Sequence, residues 1–242
     1  LRRLVMVTGS SPGIGKTSVS ALLHQQLAAH RIPSEWWQEE RLESALRDRM
    51  PGWHVNLGNP EVLLAGCRDF VHTHGSAETV LITDAVLPGY LDLFGRRSPA
   101  ELARFNRDLH ETLAPLRPLL VYLHGDVETA LARAVRQRGE EWLENIRGYL
   151  NSWRLPRYAA QVEPFATTDD VTAYFTALDR ASRRLVEAWP GASLLLSAEE
   201  MGPEDLTKAI LRFVELDWLP IPATPEVDPS ALVGRYTLQG DD

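Results

Sequence analysis

The residues best suited to chemistry lie near the start of the chain, in the segment Gly9–Thr17, which reads Gly-Ser-Ser-Pro-Gly-Ile-Gly-Lys-Thr. An apolar run, Leu4–Thr8, precedes this segment and a helical pattern follows it, which is the context of a phosphate-binding loop. Glycines allow successive backbone N–H groups to point at phosphate oxygens, and the helix N-terminus adds partial positive charge. The segment therefore predicts a site for the phosphates of a nucleotide.

This loop departs from the usual pattern at one position. The pattern G-x-x-x-x-G-K-S/T places its first glycine at position 10, where this chain has Ser10, and Gly9 stands one residue earlier. We interpret the segment as a variant loop for ATP and Mg²⁺, with Lys16 reaching the β- and γ-phosphates and Thr17 binding the metal. The predicted nucleotide-binding residues are Ser11, Pro12, Gly13, Ile14, Gly15, Lys16, Thr17 and Ser18.

A carboxylate at the end of a buried strand is the second chemical feature. The apolar run Thr79–Thr83 ends at Asp84, and the carboxyl ends of parallel strands form the ligand edge of an α/β sheet. Asp84 is predicted to bind Mg²⁺ or to accept a proton from an attacking hydroxyl. A single acid here, rather than an Asp-Glu pair, argues against a motor or AAA-type ATPase, and the chain has no Asn-Lys-x-Asp sequence to recognise guanine.

A third feature follows the apolar run Leu119–Leu123, where a helix over Val127–Arg138 contains Ala-Leu-Ala-Arg and ends in Arg-Gln-Arg-Gly. Here the chain resembles the thymidylate kinase and deoxynucleoside kinase group of the nucleoside monophosphate kinase-like fold, whose pattern is Ala-Leu-x-Arg-x-x-x-Arg-Gly. In this chain the second arginine of the pattern falls one residue late, at Arg138 before Gly139. The resemblance extends over roughly residues 4–215. It implies a mobile lid, about residues 133–157, whose arginines close over the transferring phosphate: Arg133, Arg136 and Arg138.

The acceptor side departs from that group. The group usually has an arginine after the acid of the third strand, and here Ala85 follows Asp84. A missing arginine favours a neutral acceptor over a monophosphate, although arginines of other loops can restore the charge: Arg96, Arg97, Arg154 and Arg157. The group's second strand ends with a Glu that activates the sugar hydroxyl, and Glu35, Glu39 and Glu40 all compete for this role; we choose Glu39. Trp36, Trp37, Glu39 and Arg97 are the predicted acceptor-binding residues, the tryptophans because their faces stack on planar rings.

Strands that alternate with helices must position these groups. The pattern predicts a three-layer α/β/α P-loop NTPase fold with a five-stranded, mostly parallel sheet and a helical lid. The predicted strands are Leu4–Thr8, Ser34–Gln38, Thr79–Thr83, Leu119–Leu123 and Ala192–Leu196, and a helix is also predicted over Glu39–Arg49. We assign residues 1–218 to one domain and residues 219–242 to a proline-rich tail.

Composition limits the partners. The net charge is −8, with 25 basic and 33 acidic residues, which does not favour binding of a nucleic acid polymer or an anionic membrane. The lone Cys67 excludes an intrachain disulfide and is most simply a small buried hydrophobe. We expect a cytoplasmic protein, with a homodimer as one candidate assembly.

Together these features predict an ATP- and Mg²⁺-dependent kinase that phosphorylates a hydroxyl of a nucleoside-like or other neutral small molecule. Two alternatives stay open. One is a nucleoside monophosphate kinase, which needs a second phosphate pocket. The other is a nucleotide-binding regulatory module that has lost transfer chemistry.

Overall fold

The computed structural model describes residues 2–38, 59–75, 78–84, 97–158 and 164–221, with backbone only over 153–158. Within these ranges five strands alternate with seven helices. The strands are β1 (Leu4–Thr8), β2 (Ser34–Trp37), β3 (Val80–Thr83), β4 (Pro118–His124) and β5 (Ala192–Ser197). The helices are α1 (Lys16–Ala29), α2 (Pro60–His74), α3 (Pro99–Leu113), α4 (Val127–Arg138), α5 (Glu140–Tyr158), α6 (Thr168–Glu187) and α7 (Pro203–Phe213).

The strands form one sheet in the order β2-β3-β1-β4-β5, and all four pairs of neighbours run parallel. β1 lies at the centre, with Met6 opposite Thr83 of β3 on one side and Leu120 of β4 on the other. The predicted α/β fold with a five-stranded sheet is confirmed, and every described strand pair is parallel rather than most of them. Since β1, β3 and β4 end at the same edge, the segments that follow them meet there.

Helices cover both faces of the sheet. Leu4 and Met6 face a core shared with α2, α3 and the end of α6, whereas Val5 and Val7 face a second core shared with α1 and α7. This alternation, with β1 buried throughout, is what a strand covered on both faces requires. A third apolar cluster joins α4, α5 and the first half of α6, so the two helices in the predicted lid range pack on α6.

Local signals account for several helix boundaries. Ser98 and Glu101 form the reciprocal capping box that begins α3, and the Asp126 carboxylate accepts from the Thr129 N–H to begin α4. α4 has the predicted bounds. α6, in contrast, was not predicted, and the helix predicted over Glu39–Arg49 lies outside the described residues.

The start of the predicted tail lies against α1. The Gln26 side chain donates to the Leu219 carbonyl (2.8 Å) and accepts from the Leu219 N–H (3.0 Å). Leu216 and Trp218 pack at the margin of the α1–α7 core. Residues 216–219 are therefore held on the same side of the sheet as α1.

Candidate active site at the carboxyl edge of the sheet

The predicted phosphate loop connects β1 directly to α1. Gly15, at φ 108°, is the N-cap of α1, and neither a side-chain cap nor an acidic first-turn residue is found there among the described residues. In α2, α3, α4 and α6, by comparison, an Asn, Ser, Asp or Thr side chain caps the first turn. Lys16 is half-buried, and Thr17 and Ser18 are exposed. The first turn of α1 thus has no side-chain cap on its backbone N–H groups, which is the arrangement that suits an anion.

Two glycines fit the loop against its neighbours. A β-carbon at Gly9 would lie 2.8 Å from the Leu123 carbonyl oxygen, and one at Gly13 would lie 2.2 Å from the Ala130 carbonyl oxygen. Both distances are shorter than any real contact of a β-carbon, so β4 and α4 approach the loop closely at these points. Gly9, one residue before the pattern's first glycine, is therefore required by contact with β4.

Ser10, the residue that departs from the pattern, points its side chain into the protein interior. Its side chain is buried and its hydroxyl hydrogen-bonds the Tyr122 hydroxyl of β4. The Tyr122 hydroxyl donates to Asp179 Oδ1 of α6 at 2.8 Å, and Arg183 Nε donates to Asp179 Oδ2 at 2.7 Å. Burial is the main cause that raises the pKa of Tyr122 well above its usual value, so this phenol stays protonated.

Sequence reasoning missed this chain of hydrogen bonds. Two signals pointed to it: a tyrosine in a buried strand needs a partner for its hydroxyl, and Asp179 lies on the apolar stripe of an amphipathic helix. Neither signal identifies the partner, because Tyr122 and Asp179 are 57 residues apart.

Asp84 lies at the same edge as the loop. It directly follows β3, the strand beside β1, and is 3% exposed. Its backbone N–H donates to the Trp37 carbonyl (3.3 Å), which ties it to the end of β2. Thr17 and Asp84 offer a hydroxyl and a carboxylate oxygen, the ligand types that suit Mg²⁺. Glu39, the other predicted base, lies outside the described residues, as do Glu40 and Arg96.

The three predicted lid arginines have different surroundings. Arg133 is half-buried and its guanidinium donates to the Gly13 carbonyl at 3.3 Å, so it lies against the loop. Arg136 is exposed, and the Arg138 guanidinium lies 5.1 Å from the centre of the Trp142 ring. The structure therefore brings one of the three arginines to the phosphate loop, and the phosphate-binding role of all three stays a prediction.

The predicted acceptor residues are also spread over different surroundings. Trp37 is buried edge-on against Phe70, with its Nε1 donating to Glu35 Oε2 at 3.0 Å. Trp36 faces the opposite side of the sheet, toward the α1–α7 core. The two rings do not form one stacking surface, since β2 directs them to opposite faces. Arg97, before α3, is paired with Glu101 at 3.3 Å.

Two further titratable groups have shifted pKa values. Burial, then the nearby Arg183 guanidinium, lowers the pKa of His124 at the end of β4. Burial raises the pKa of Cys67 to about 12, as expected of a structural thiol. Among the described residues, no group of three or more His, Cys, Asp or Glu side chains is arranged to hold a metal, and no helix is long and apolar enough to cross a membrane.

No protein-family model and no curated protein matches this chain. Among solved structures, it is similar to the YorR protein of Bacillus subtilis in complex with phosphorylated GDP, at 15% identity and a TM-score of 0.47, over 88% of this chain and 95% of the other. For a deoxyadenosine kinase from M. mycoides with bound dATP, the identity is 12% and the TM-score 0.47, over 88% of this chain and 99% of the other. For a shikimate kinase from Bacteroides thetaiotaomicron, the identity is 14% and the TM-score 0.46, over 88% of this chain and 98% of the other. At these identities and TM-scores, the likeness says nothing about the acceptor of this chain.

Proposed function

We propose that this protein is a kinase that transfers the γ-phosphate of ATP, with Mg²⁺, to a hydroxyl of a small, neutral, nucleoside-like molecule. The observation that carries the proposal is the junction of β1 and α1. There a glycine loop and the uncapped first turn of α1 place Lys16 and Thr17 at the edge where Asp84 also lies. A buried acid beside a phosphate loop is what in-line phosphoryl transfer to a hydroxyl requires.

Each group has a role in this proposal. The backbone N–H groups of residues 11–18 and the Lys16 ammonium bind the donor phosphates. Thr17 and Asp84 supply oxygen ligands for Mg²⁺, which neutralises charge on the phosphates when bound. Arg133 supports the loop from α4, and Asp84 or Glu39 orients the acceptor hydroxyl and accepts its proton.

A neutral acceptor is favoured by the residue that follows Asp84. A monophosphate acceptor needs a second cluster of cations, and Ala85 stands where an arginine would supply one of them. The net charge of −8 likewise supports a small acceptor rather than a nucleic acid polymer. The alternatives, a nucleoside monophosphate kinase and a regulatory module without transfer, are outcomes of the transfer test below.

The donor site can be tested with the chain's own lysines, because Lys16 and Lys208 are the only two. Lys208 lies on α7, 2.6 Å from Glu204 and stacked on Trp218, and serves as the internal reference. Limited acetylation is followed by mass spectrometry of the two peptides, with and without ATP and Mg²⁺. We expect ATP to protect Lys16 and to leave Lys208 unchanged. Equal labelling of Lys16 in both conditions would contradict the donor site.

Transfer is tested with γ-³²P-labelled ATP against nucleosides, nucleoside monophosphates, sugars and aminoglycoside-like alcohols. Lys16→Ala should abolish transfer without unfolding the chain, and Lys208→Ala should keep it. Asp84→Asn and Glu39→Gln are compared in parallel: the variant of the base should slow transfer much more than it weakens ATP binding. Labelling of monophosphates alone would favour the monophosphate kinase, and ATP binding without any transfer would favour the regulatory module.

A further inference from the structure

We propose that Tyr122 and Asp179 are positioning residues for the phosphate loop, which they hold through Ser10 in its nucleotide-binding conformation. The proposal rests on the proposed function in one respect, since it assumes that the loop binds ATP. It begins from the position where the chain departs from the phosphate-loop pattern. A serine replaces the glycine there, and its side chain is buried rather than exposed to the ligand edge.

The direction of these hydrogen bonds follows from the ion pair between Asp179 and Arg183. Arg183 Nε donates to Asp179 Oδ2, and an ionised carboxylate only accepts hydrogen bonds. The hydrogen of the Tyr122 hydroxyl is therefore committed to Asp179 Oδ1, 2.8 Å away. The phenolic oxygen is left to accept, so the Ser10 hydroxyl must be the donor in their hydrogen bond.

This direction decides what Ser10 does. Because its hydroxyl hydrogen points to Tyr122, Ser10 does not donate to a phosphate. It instead anchors the first turn of the loop to β4, while Arg133 holds the Gly13 carbonyl further along the loop. These two attachments lie before Gly15, where the chain enters α1. The loop between β1 and α1 is thus fixed near its beginning and at its middle.

The anchor also joins the loop to the helix beneath the lid. Asp179 directly follows Leu178, and Leu178 and Phe175 pack in the cluster that contains Leu131 of α4 and Trp142 of α5. The apolar side of α6 thus supports the lid helices, while its Asp179 reaches the phosphate loop. A change in the Tyr122–Asp179 contact should therefore alter the affinity for ATP and not only the overall stability.

The test is a double-mutant cycle on the outer pair, Ser10→Ala and Tyr122→Phe, with ATP and Mg²⁺ as the probe. Isothermal titration calorimetry gives the dissociation constant, and thermal unfolding without nucleotide gives stability. We expect each single variant to weaken ATP binding about fivefold, because each frees the loop from β4. The dissociation constant of the double variant for ATP should be no higher than that of the single variant with the lower affinity, since each single substitution already removes the same anchor.

Two results would overturn the proposal. One is a lowered unfolding temperature with an ATP dissociation constant within about twofold of wild type, which would make the contact purely structural. The other is additive losses of affinity, which would mean that Ser10 and Tyr122 do not act through each other. Tyr174→Phe, which removes a tyrosine hydroxyl from α6 at the lid side, is the matched control and should keep ATP affinity. If Tyr122→Phe does not fold, Ser10→Ala alone carries the affinity test.

Failure of the proposed function is recognisable separately. If the wild-type chain does not bind ATP, the donor site is wrong whatever the variants do. In that case the unfolding temperatures of the same four proteins still report whether Ser10 and Tyr122 are coupled, but the positioning role falls with the donor site. If the wild-type chain binds ATP and Lys16→Ala does not, the donor site is correct. An ATP affinity that is unchanged in Ser10→Ala and Tyr122→Phe would then contradict only the positioning role.

Discussion

Replacing Gly13 with alanine should separate the packing of the phosphate loop from its backbone strain. Gly13 has a φ of +77°, and a β-carbon there would lie 2.2 Å from the Ala130 carbonyl oxygen of α4. Real β-carbons do not approach closer than 3.0 Å, so the loop and α4 must move apart to admit the methyl group. The obstacle is helix backbone rather than a flexible side chain, and it cannot rotate away.

The magnitude follows from two costs. Left-handed backbone costs a non-glycine residue about 1–2 kcal/mol, and forcing an extra methyl group into a packed contact costs about 1–3 kcal/mol. Gly13→Ala should therefore lower the free energy of unfolding by about 2–5 kcal/mol. In a chain of this size each kcal/mol lowers the unfolding temperature by about 2–4 °C.

Gly15→Ala is the matched control for this prediction. Gly15 has a φ of +108° and nothing within 4 Å of the β-carbon position, so alanine there adds strain without overlap. Thermal unfolding is measured without nucleotide, and we expect Gly15→Ala to lose only the strain cost, about 1–2 kcal/mol. Equal losses for the two variants would refute the reasoning, because they would show that the contact with Ala130 opens at no cost.

Two other predictions follow from groups with shifted pKa values. Since burial raises the pKa of Cys67 to about 12, this single thiol should resist Ellman's reagent in the native protein and react fully in guanidinium; rapid labelling of the native chain would contradict its burial. The pKa of His124 is lowered, so the unfolded chain takes up a proton near pH 6.5 that the folded chain takes up only at lower pH. Stability should therefore fall as the pH drops below about 6.5 and level off once folded His124 is protonated, and His124→Gln should flatten this slope in urea titrations; an unchanged slope would assign it to other groups.

Much of the fold could be predicted because its signals are local. The inner strands β1, β3 and β4 are buried on both faces and are continuous apolar runs, so they are visible in the sequence. The edge strands β2 and β5 are only partly buried, and their shorter apolar stretches were still enough to predict them. The start of α3 follows from Ser98, Pro99 and Glu101, which form a capping box around an N1 proline. The phosphate loop was equally local, since strand, glycines and helix follow one another without interruption.

What could not be predicted depends on contacts between distant residues. α6 is the exception, because its signals are local and were overlooked: Thr167 and Asp170 form a capping box, and buried apolar residues follow at helical spacing. Ser10 seemed only a deviation until Tyr122, which lies 112 residues later, supplied its partner. For the predicted lid arginines, spacing puts Arg133 and Arg136 on one face of α4 and Arg138 elsewhere. It does not show that Arg133 contacts the loop, since that contact depends on the packing of α4 on Gly13.

The position of the phosphate loop in the chain has a consequence for biosynthesis. The loop is complete in sequence once residue 17 has been made, yet three of the contacts that shape it come from much later residues: Leu123 against Gly9, Tyr122 on Ser10 and Ala130 against Gly13. A nascent chain that has not yet exposed β4 and α4 carries the motif without the partners that fix its form. In ribosome-bound chains the proposed nucleotide affinity should therefore appear only after about residue 138 has left the exit tunnel, long after residue 17 has been made.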